Sequence, residues 1–221
     1  TTVNVSGLIN AIITNTDITP FFKQITDDKF AVTGGELAKL SNQFYLVGGQ
    51  RFDGQYNPMG HGTYVQTYTE AIQKFTLNNS GATLSYSGYE KITDPIHLHR
   101  RDYNLLSHIF PDGSEGLVIS SGVFQQFVDL PFLYPVEIKE DGYVAKPEFN
   151  QYLNNYHTAH TNIYDSLENK MTSLFFGGIS QYYYVDGALH QDDFVPFVNT
   201  ISGISRDNSG NLTEFYIPTG M

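Results

Sequence analysis

At 221 residues the chain is long enough for one domain with a sizeable core, and 12 basic against 23 acidic side chains give it a net charge of −11. That balance argues against a surface built to read nucleic-acid phosphates and disfavours anionic membranes. The lack of cysteine excludes disulfides, thiol chemistry and cysteine-based zinc sites, and no apolar run has the ~18 residues that would insert in a bilayer.

The first 29 residues share a mark with a later stretch: Ile25-Thr26-Asp27 recurs as Ile92-Thr93-Asp94, an offset of 67. At that offset 4–27 aligns with 71–94 and reads as the outer pair of strands of a four-stranded unit, so the chain is expected to begin inside one. Strands follow at 36–40 and 43–49 around a Ser41-Asn42 turn. After a long loop, further strands lie at 70–77 and 82–86, joined by Asn78-Asn79-Ser80-Gly81. A second set occupies 104–110, 116–122, 134–138 and 143–145, with turns at Pro111 to Glu115 and at Glu140-Asp141-Gly142. The third set is 161–164, 171–178, 198–204 and 212–217, its last turn formed by 206–211. Asp-Gly and Asn/Ser/Gly clusters between β-branched and aromatic runs are hairpin signals because these residues tolerate the positive φ of tight turns. No segment reads as a convincing helix; 148–155 and 161–170 are the polar stretches with room for a short one.

One pattern recurs three times. Phe44-Tyr45-Leu46-Val47-Gly48-Gly49, Leu117-Val118-Ile119-Ser120-Ser121-Gly122 and Leu174-Phe175-Phe176-Gly177-Gly178 each run apolar and end in a small residue plus glycine. The terminal glycines are 73 and 56 residues apart. A unit of this length holds four short strands, the size of a propeller blade. At these glycine ends the chain resembles the kelch family of β-propellers, and its style is similar to secreted bacterial kelch-like proteins. It departs from the family in having Ser121-Gly122 in the second unit and no tryptophan. The resemblance implies an all-β fold of blades at 30–94, 95–154 and 155–221, with 1–29 as the outer half of a preceding blade. It also implies an extracellular or cell-envelope location. Three blades and a piece fall short of the usual 4–8, so the remaining blades are expected from the rest of a longer chain or from a second copy.

In such a fold the connections from second to third strand and from one unit to the next emerge on one face. Here the former are all long, at 50–69, 123–133 and 179–197, and long loops on a rigid scaffold are where binding concentrates. Their ligand-binding candidates are Arg51, Tyr56 and His61; Phe124 and Phe127; and Tyr182, Tyr183 and Tyr184, since tyrosine joins a flat apolar face to a polar tip. The segments between units add His99, Arg100 and Arg101, flanked by His97 and Asp102, and then His157. His97 and His99 would share a side in a strand as a metal pair. The other options for this segment are hydrogen bonds between units and an anion-binding channel. Acidic turns at 112–115, 140–142 and 191–193 lack EF-hand spacing, and the nucleophile-elbow, zincin and phosphate-loop motifs are missing. The expectation is a non-catalytic binding or scaffold module for a glycan or protein, needing no cofactor or metal. The alternative is a carbohydrate-active propeller enzyme, sialidase- or mutarotase-like, with an axial site of His99, Arg100, Arg101, Asp102 and His157. A third reading is a purely structural domain.

Overall fold

The computed structural model describes every residue except Pro58, Gly60, His61 and Gly220. The N-terminal strands β1 (Thr2–Val3) and β2 (Phe22–Lys23) pair antiparallel and enclose helix α1 (Val5–Ile13). Asn4 starts the helix, its side chain accepting the Gly7 N–H at 3.1 Å, the usual role of an asparagine cap. This corrects two expectations, that the chain lacks helix and that 1–29 form outer strands. Val5, Ile9, Ile12 and Ile13 are β-branched and suggest a strand, but β-branching lowers helix propensity only slightly, and a cap outweighs it. The stretches at 148–155 and 161–170 hold no helix.

Three four-stranded antiparallel sheets follow. Sheet 1 comprises β3 (Glu36–Leu40), β4 (Gln43–Val47), β7 (Ala71–Asn78) and β8 (Ser85–Thr93), with the hairpin β5 (Gln50–Gly54)/β6 (Tyr64–Tyr68) between β4 and β7. Sheet 2 comprises β9 (Asn104–Ile109), β10 (Glu115–Ser120), β11 (Val136–Lys139) and β12 (Gly142–Ala145). Sheet 3 comprises β13 (Ala159–Asp165), β14 (Lys170–Ile179), β17 (Phe197–Arg206) and β18 (Leu212–Ile217), with the hairpin β15 (Tyr182–Val185)/β16 (Ala188–Gln191) between β14 and β17. In each sheet, strands close in sequence are neighbours in space.

The recurring small-residue and glycine pairs are a backbone device. Gly48 and Gly49 (φ 53° and 76°), Ser121 and Gly122 (59° and 96°), and Gly177 and Gly178 (63° and 93°) are all left-handed. Each pair swings the chain off its second strand into one more bridge, Thr33 to Gln50, Arg101 to Val123 and Tyr156 to Ile179. Backbones approach so closely there that a Cβ on Gly49 would lie 2.4 Å from the Gly35 nitrogen.

Period-two alternation gives each sheet two usable faces. Leu40, Tyr45, Val47 and Ile72 of sheet 1 pack on Leu105, Leu117, Ile119, Val136 and Ile138 of sheet 2. The opposite face of sheet 2, with Leu106, Phe110 and Val118, meets Phe175 and Ile204 of sheet 3. Sheet 2 is therefore covered on both sides. Polar groups fasten both junctions: the Tyr103 hydroxyl donates to the Val47 carbonyl and accepts the Glu36 N–H at 2.9 Å. Arg206 of sheet 3 donates to Glu137 and to His108 Nε2 of sheet 2. Burial first, and Arg206 second, push the His108 pKa down to about 3, so it serves this junction as a neutral acceptor. The outward face of sheet 1 is crossed by Phe30, whose ring lies 4.7 Å from Phe75 and 5.0 Å from Tyr86. The outward face of sheet 3 carries Ile163, Leu174, Phe176, Ile201, Phe215 and Ile217 in register, all partly open to solvent.

Candidate functional site

The three sheets meet at one short segment. The Gly49 N–H donates to the Arg100 carbonyl at 2.9 Å, the Val123 N–H to the Arg101 carbonyl at 3.1 Å and the His157 N–H to the Asp102 carbonyl at 3.1 Å. The long connections 50–69 and 123–133 and the lead-in to sheet 3 are thus gathered at Arg100-Arg101-Asp102. Besides Ser121, Glu70 (φ 50°), Asp102 (57°), Phe124 (67°) and His157 (51°) are left-handed at this end. Each costs on the order of 1 kcal/mol, and such strain concentrates where structure is held for a purpose.

Arg100 is 1% exposed. Its Nε donates to the His97 carbonyl at 2.8 Å, and Nη1 to those of Ser121 (2.8 Å) and Tyr134 (3.0 Å). The guanidinium lies 3.9 Å from the Phe132 ring centre and 4.8 Å from that of Tyr134. Burial lowers its pKa to about 10, so it is cationic at neutral pH. This side chain opens onto no channel; it fastens loop 123–133 to the segment before sheet 2.

Arg101 lies over the Phe124 ring at 4.4 Å, with Nε 3.5 Å from the Asp102 carboxylate. His157 Nδ1 is 3.9 Å from the other oxygen of Asp102 and is exposed. His99 is held by Glu70 (Nδ1 to Oε1, 2.7 Å) and stacks on Tyr68 with ring centres 3.9 Å apart. His97 turns instead to the Tyr134 hydroxyl at 3.0 Å. The anticipated histidine pair therefore does not form, because this segment is not a strand and the two rings have different partners. No set of three metal-ligating side chains occurs among the described residues. Burial raises the Tyr68 hydroxyl's pKa, with Arg101 opposing and Asp102 and Asp129 adding, and pushes that of Tyr156 to about 12. These phenols are neutral at physiological pH.

The loop candidates fall into two kinds. Arg51, on β5, pairs with Asp53 at 2.8 Å and Asp28 at 3.8 Å. Tyr56 is exposed beside a stacked Phe52–Tyr64 pair with ring centres 5.1 Å apart. His61 lies outside the described residues. The three consecutive tyrosines of β15 separate as strand alternation requires: Tyr182 meets Tyr152 edge-on at 5.0 Å, Tyr183 stacks on His190 at 6.0 Å, and Tyr184 stacks on Tyr216 at 3.8 Å. At the loop tips Met59, Phe127 and Phe194 are 93%, 85% and 97% exposed. The Phe194 tip is built firmly. Asp193 accepts from the amides of Gln181 (2.8 Å) and Gln191 (2.9 Å), Asp192 caps the Phe194 N–H at 2.9 Å, and Val195 takes φ 52°, an outlier for a β-branched residue. Those two amides also hold the Asp193 pKa below its ordinary value.

Sequence reasoning overlooked Tyr68, Glu70, Asn199 and Tyr216. Tyr216 sits in a strand next to Phe215 and Ile217 and gives no signal of its own, whereas Asp186-Gly187 is a hairpin-turn dipeptide within 179–197, a stretch read only as a long loop. No family model matches the chain, and no curated protein matches it.

Proposed function

We propose that the chain is a non-catalytic binding module on kelch-like propeller blades, taking a glycan or protein partner through its long loops. The observation that carries this is the set of solvated tips: each long connection presents a large apolar side chain, Met59, Phe127 or Phe194, almost wholly to water. Exposed anchors of this kind, on a rigid scaffold, mark interaction surfaces. Three sheets of one strand order, each leaving its second strand through paired left-handed residues, support the blade assignment. The outward apolar face of sheet 3 suits a further blade, from a longer chain or a second copy. A location outside the cell rests on the resemblance to secreted kelch-like proteins.

The enzymatic alternative has less support. Arg100 is enclosed, His99 is bound to Glu70, and Arg101 is stacked on Phe124. The test pairs glycan-array and affinity-capture screens of the wild-type chain with those of a Met59→Ser, Phe127→Ser, Phe194→Ser variant. A Glu140→Ser change in a turn at the opposite end of the sheets is the control. Loss of the captured ligand with the triple variant alone is expected; a ligand indifferent to the triple variant refutes the assignment.

A further inference from the structure

The third long connection does more than present Phe194. Between its hairpin β15/β16 and the strands β17 and β18 lies a cleft of about 410 Å³, lined among others by Tyr184, Asp186, Asn199, Thr200, Tyr216 and Ile217. This is within the roughly 300–1,000 Å³ typical of small-molecule sites. The Asp186-Gly187 turn that closes the hairpin is left-handed at both residues (φ 51° and 78°), which fits a two-residue hairpin loop and sets the Asp186 carboxylate on the cleft's rim. The hairpin is fastened to sheet 3 by the Tyr184 N–H, which donates to Thr200 Oγ1 at 3.4 Å, and by the Tyr184–Tyr216 stack, whose rings are 10° from parallel.

The polar groups of this cleft are unspent. Among the described residues, the hydroxyls of Tyr184 and Tyr216, the Asn199 side-chain amide and the Asp186 carboxylate make no hydrogen bond, whereas Arg100 donates three and Arg101 and His157 pair with Asp102, leaving Arg100 Nη2 and Arg101 Nε without a hydrogen bond. The cleft therefore combines aromatic rings already fixed by mutual stacking with two phenol donors, one amide that both donates and accepts, and one carboxylate acceptor. Fixed rings lose little freedom when a ligand settles on them. The combination matches a pyranose ring, which has an apolar C–H face and a rim of hydroxyls that each donate and accept.

We infer that this cleft binds one or two residues of a neutral saccharide, an inference that rests on the long-loop face being a binding surface. Charge selects the class. Among the described residues Asp186 is the only acidic or basic side chain lining the cleft, and the chain as a whole carries −11. Uronic, sialic and phosphorylated sugars are repelled, and among the described residues no arginine lines the site to receive their anions.

The experiment titrates the full chain with maltotriose, cellotriose and tri-N-acetylchitotriose, read by saturation-transfer NMR and calorimetry, with 3′-sialyllactose as the anionic comparison. At least one neutral trisaccharide should bind with a dissociation constant of about 1 mM or tighter, with saturation transferred chiefly to ring C–H protons. Asp186→Asn and Tyr216→Phe, both expected to fold because they alter uncommitted polar groups, should each weaken it at least about fivefold. Binding by none of the three at ~10 mM, binding unchanged in both variants, or equal binding of sialyllactose overturns the inference. If the cleft fails while the Met59, Phe127, Phe194 variant still loses a captured ligand, the loop face stands without a saccharide site. If both fail, the loop face falls as well.

Discussion

Replacing Arg100 with methionine separates a fastening role from a ligand-binding one. Methionine matches the length and apolar stem of the side chain but donates no hydrogen bond. The carbonyls of His97, Ser121 and Tyr134 would be left without the guanidinium donors that reach them at 2.8, 2.8 and 3.0 Å. Each such loss costs about 1–3 kcal/mol at a buried site, and the contacts with the Phe132 and Tyr134 rings add up to about 2 kcal/mol. Against this, the variant no longer buries a charge, whose cost appears as the fall of the arginine pKa from its ordinary value to about 10, equivalent to roughly 3 kcal/mol. The net expectation is a loss of about 3–5 kcal/mol, comparable with breaking other buried ionic networks. Urea denaturation followed by far-ultraviolet circular dichroism measures it. The loss should be the same from pH 5 to pH 9, since the guanidinium stays protonated across that range. A variant within about 1 kcal/mol of wild type would refute the fastening role and return Arg100 to the list of ligand-binding candidates.

Gly49→Ala should abolish folding or cost at least about 3 kcal/mol, because its Cβ would meet the Gly35 nitrogen at 2.4 Å with φ at 76°. Gly113→Ala, with φ 79° and nothing within 4 Å, should cost only about 1–2 kcal/mol in strain; equal losses at the two would count against close backbone approach as the reason for the glycine. Burial raises the Glu36 pKa from 4.5 to about 7, with the Leu105 N–H opposing. The folded chain thus binds that proton more tightly than the unfolded one, and stability falls as pH rises from about 4.5 to about 7. Glu36→Gln should match wild type at pH 4.5, exceed it by up to about 3 kcal/mol at pH 8, and flatten this part of the pH profile; a parallel profile would show that Glu36 is not the group responsible. Phe194→Ser should leave stability within about 0.5 kcal/mol, since the ring is 97% exposed, and a loss above about 1 kcal/mol would mean the ring packs in solution.

Much of the sheet order was legible because two local rules agree there. Tyr45 and Val47 face one way and Phe44 and Leu46 the other, and turns such as Ser41-Asn42, with Ser41 at φ 52°, supply the positive φ that a tight hairpin needs. Helix α1 was not legible, since Val5, Ile9, Ile12 and Ile13 have strand-like side chains and only the Asn4 cap marks a helix start. The hairpin β5/β6 also escaped, its ends joined by the long 55–63 connection without a tight-turn dipeptide. In both cases the element is short, and local propensity under-determines it.

The same limit divides the functional end of the molecule. Arg100 and Arg101 are chemically identical neighbours, and nothing local tells them apart. What separates them is the kink at Ser121-Gly122, which folds loop 123–133 back so that Phe132 and Tyr134 enclose one guanidinium while Phe124 receives the other. The repeat therefore located the junction but could not allot its residues between fastening and recognition. The tyrosines of β15 show the converse. Their clustering drew attention in the sequence, yet Tyr182 and Tyr183 are occupied by Tyr152 and His190, and Tyr184 gains its cleft only through Tyr216, from the last strand of the sheet. At both places a side chain is available to a ligand only if the fold has not already given it a partner, so uncommitted hydrogen-bonding capacity distinguishes the sites better than residue type does.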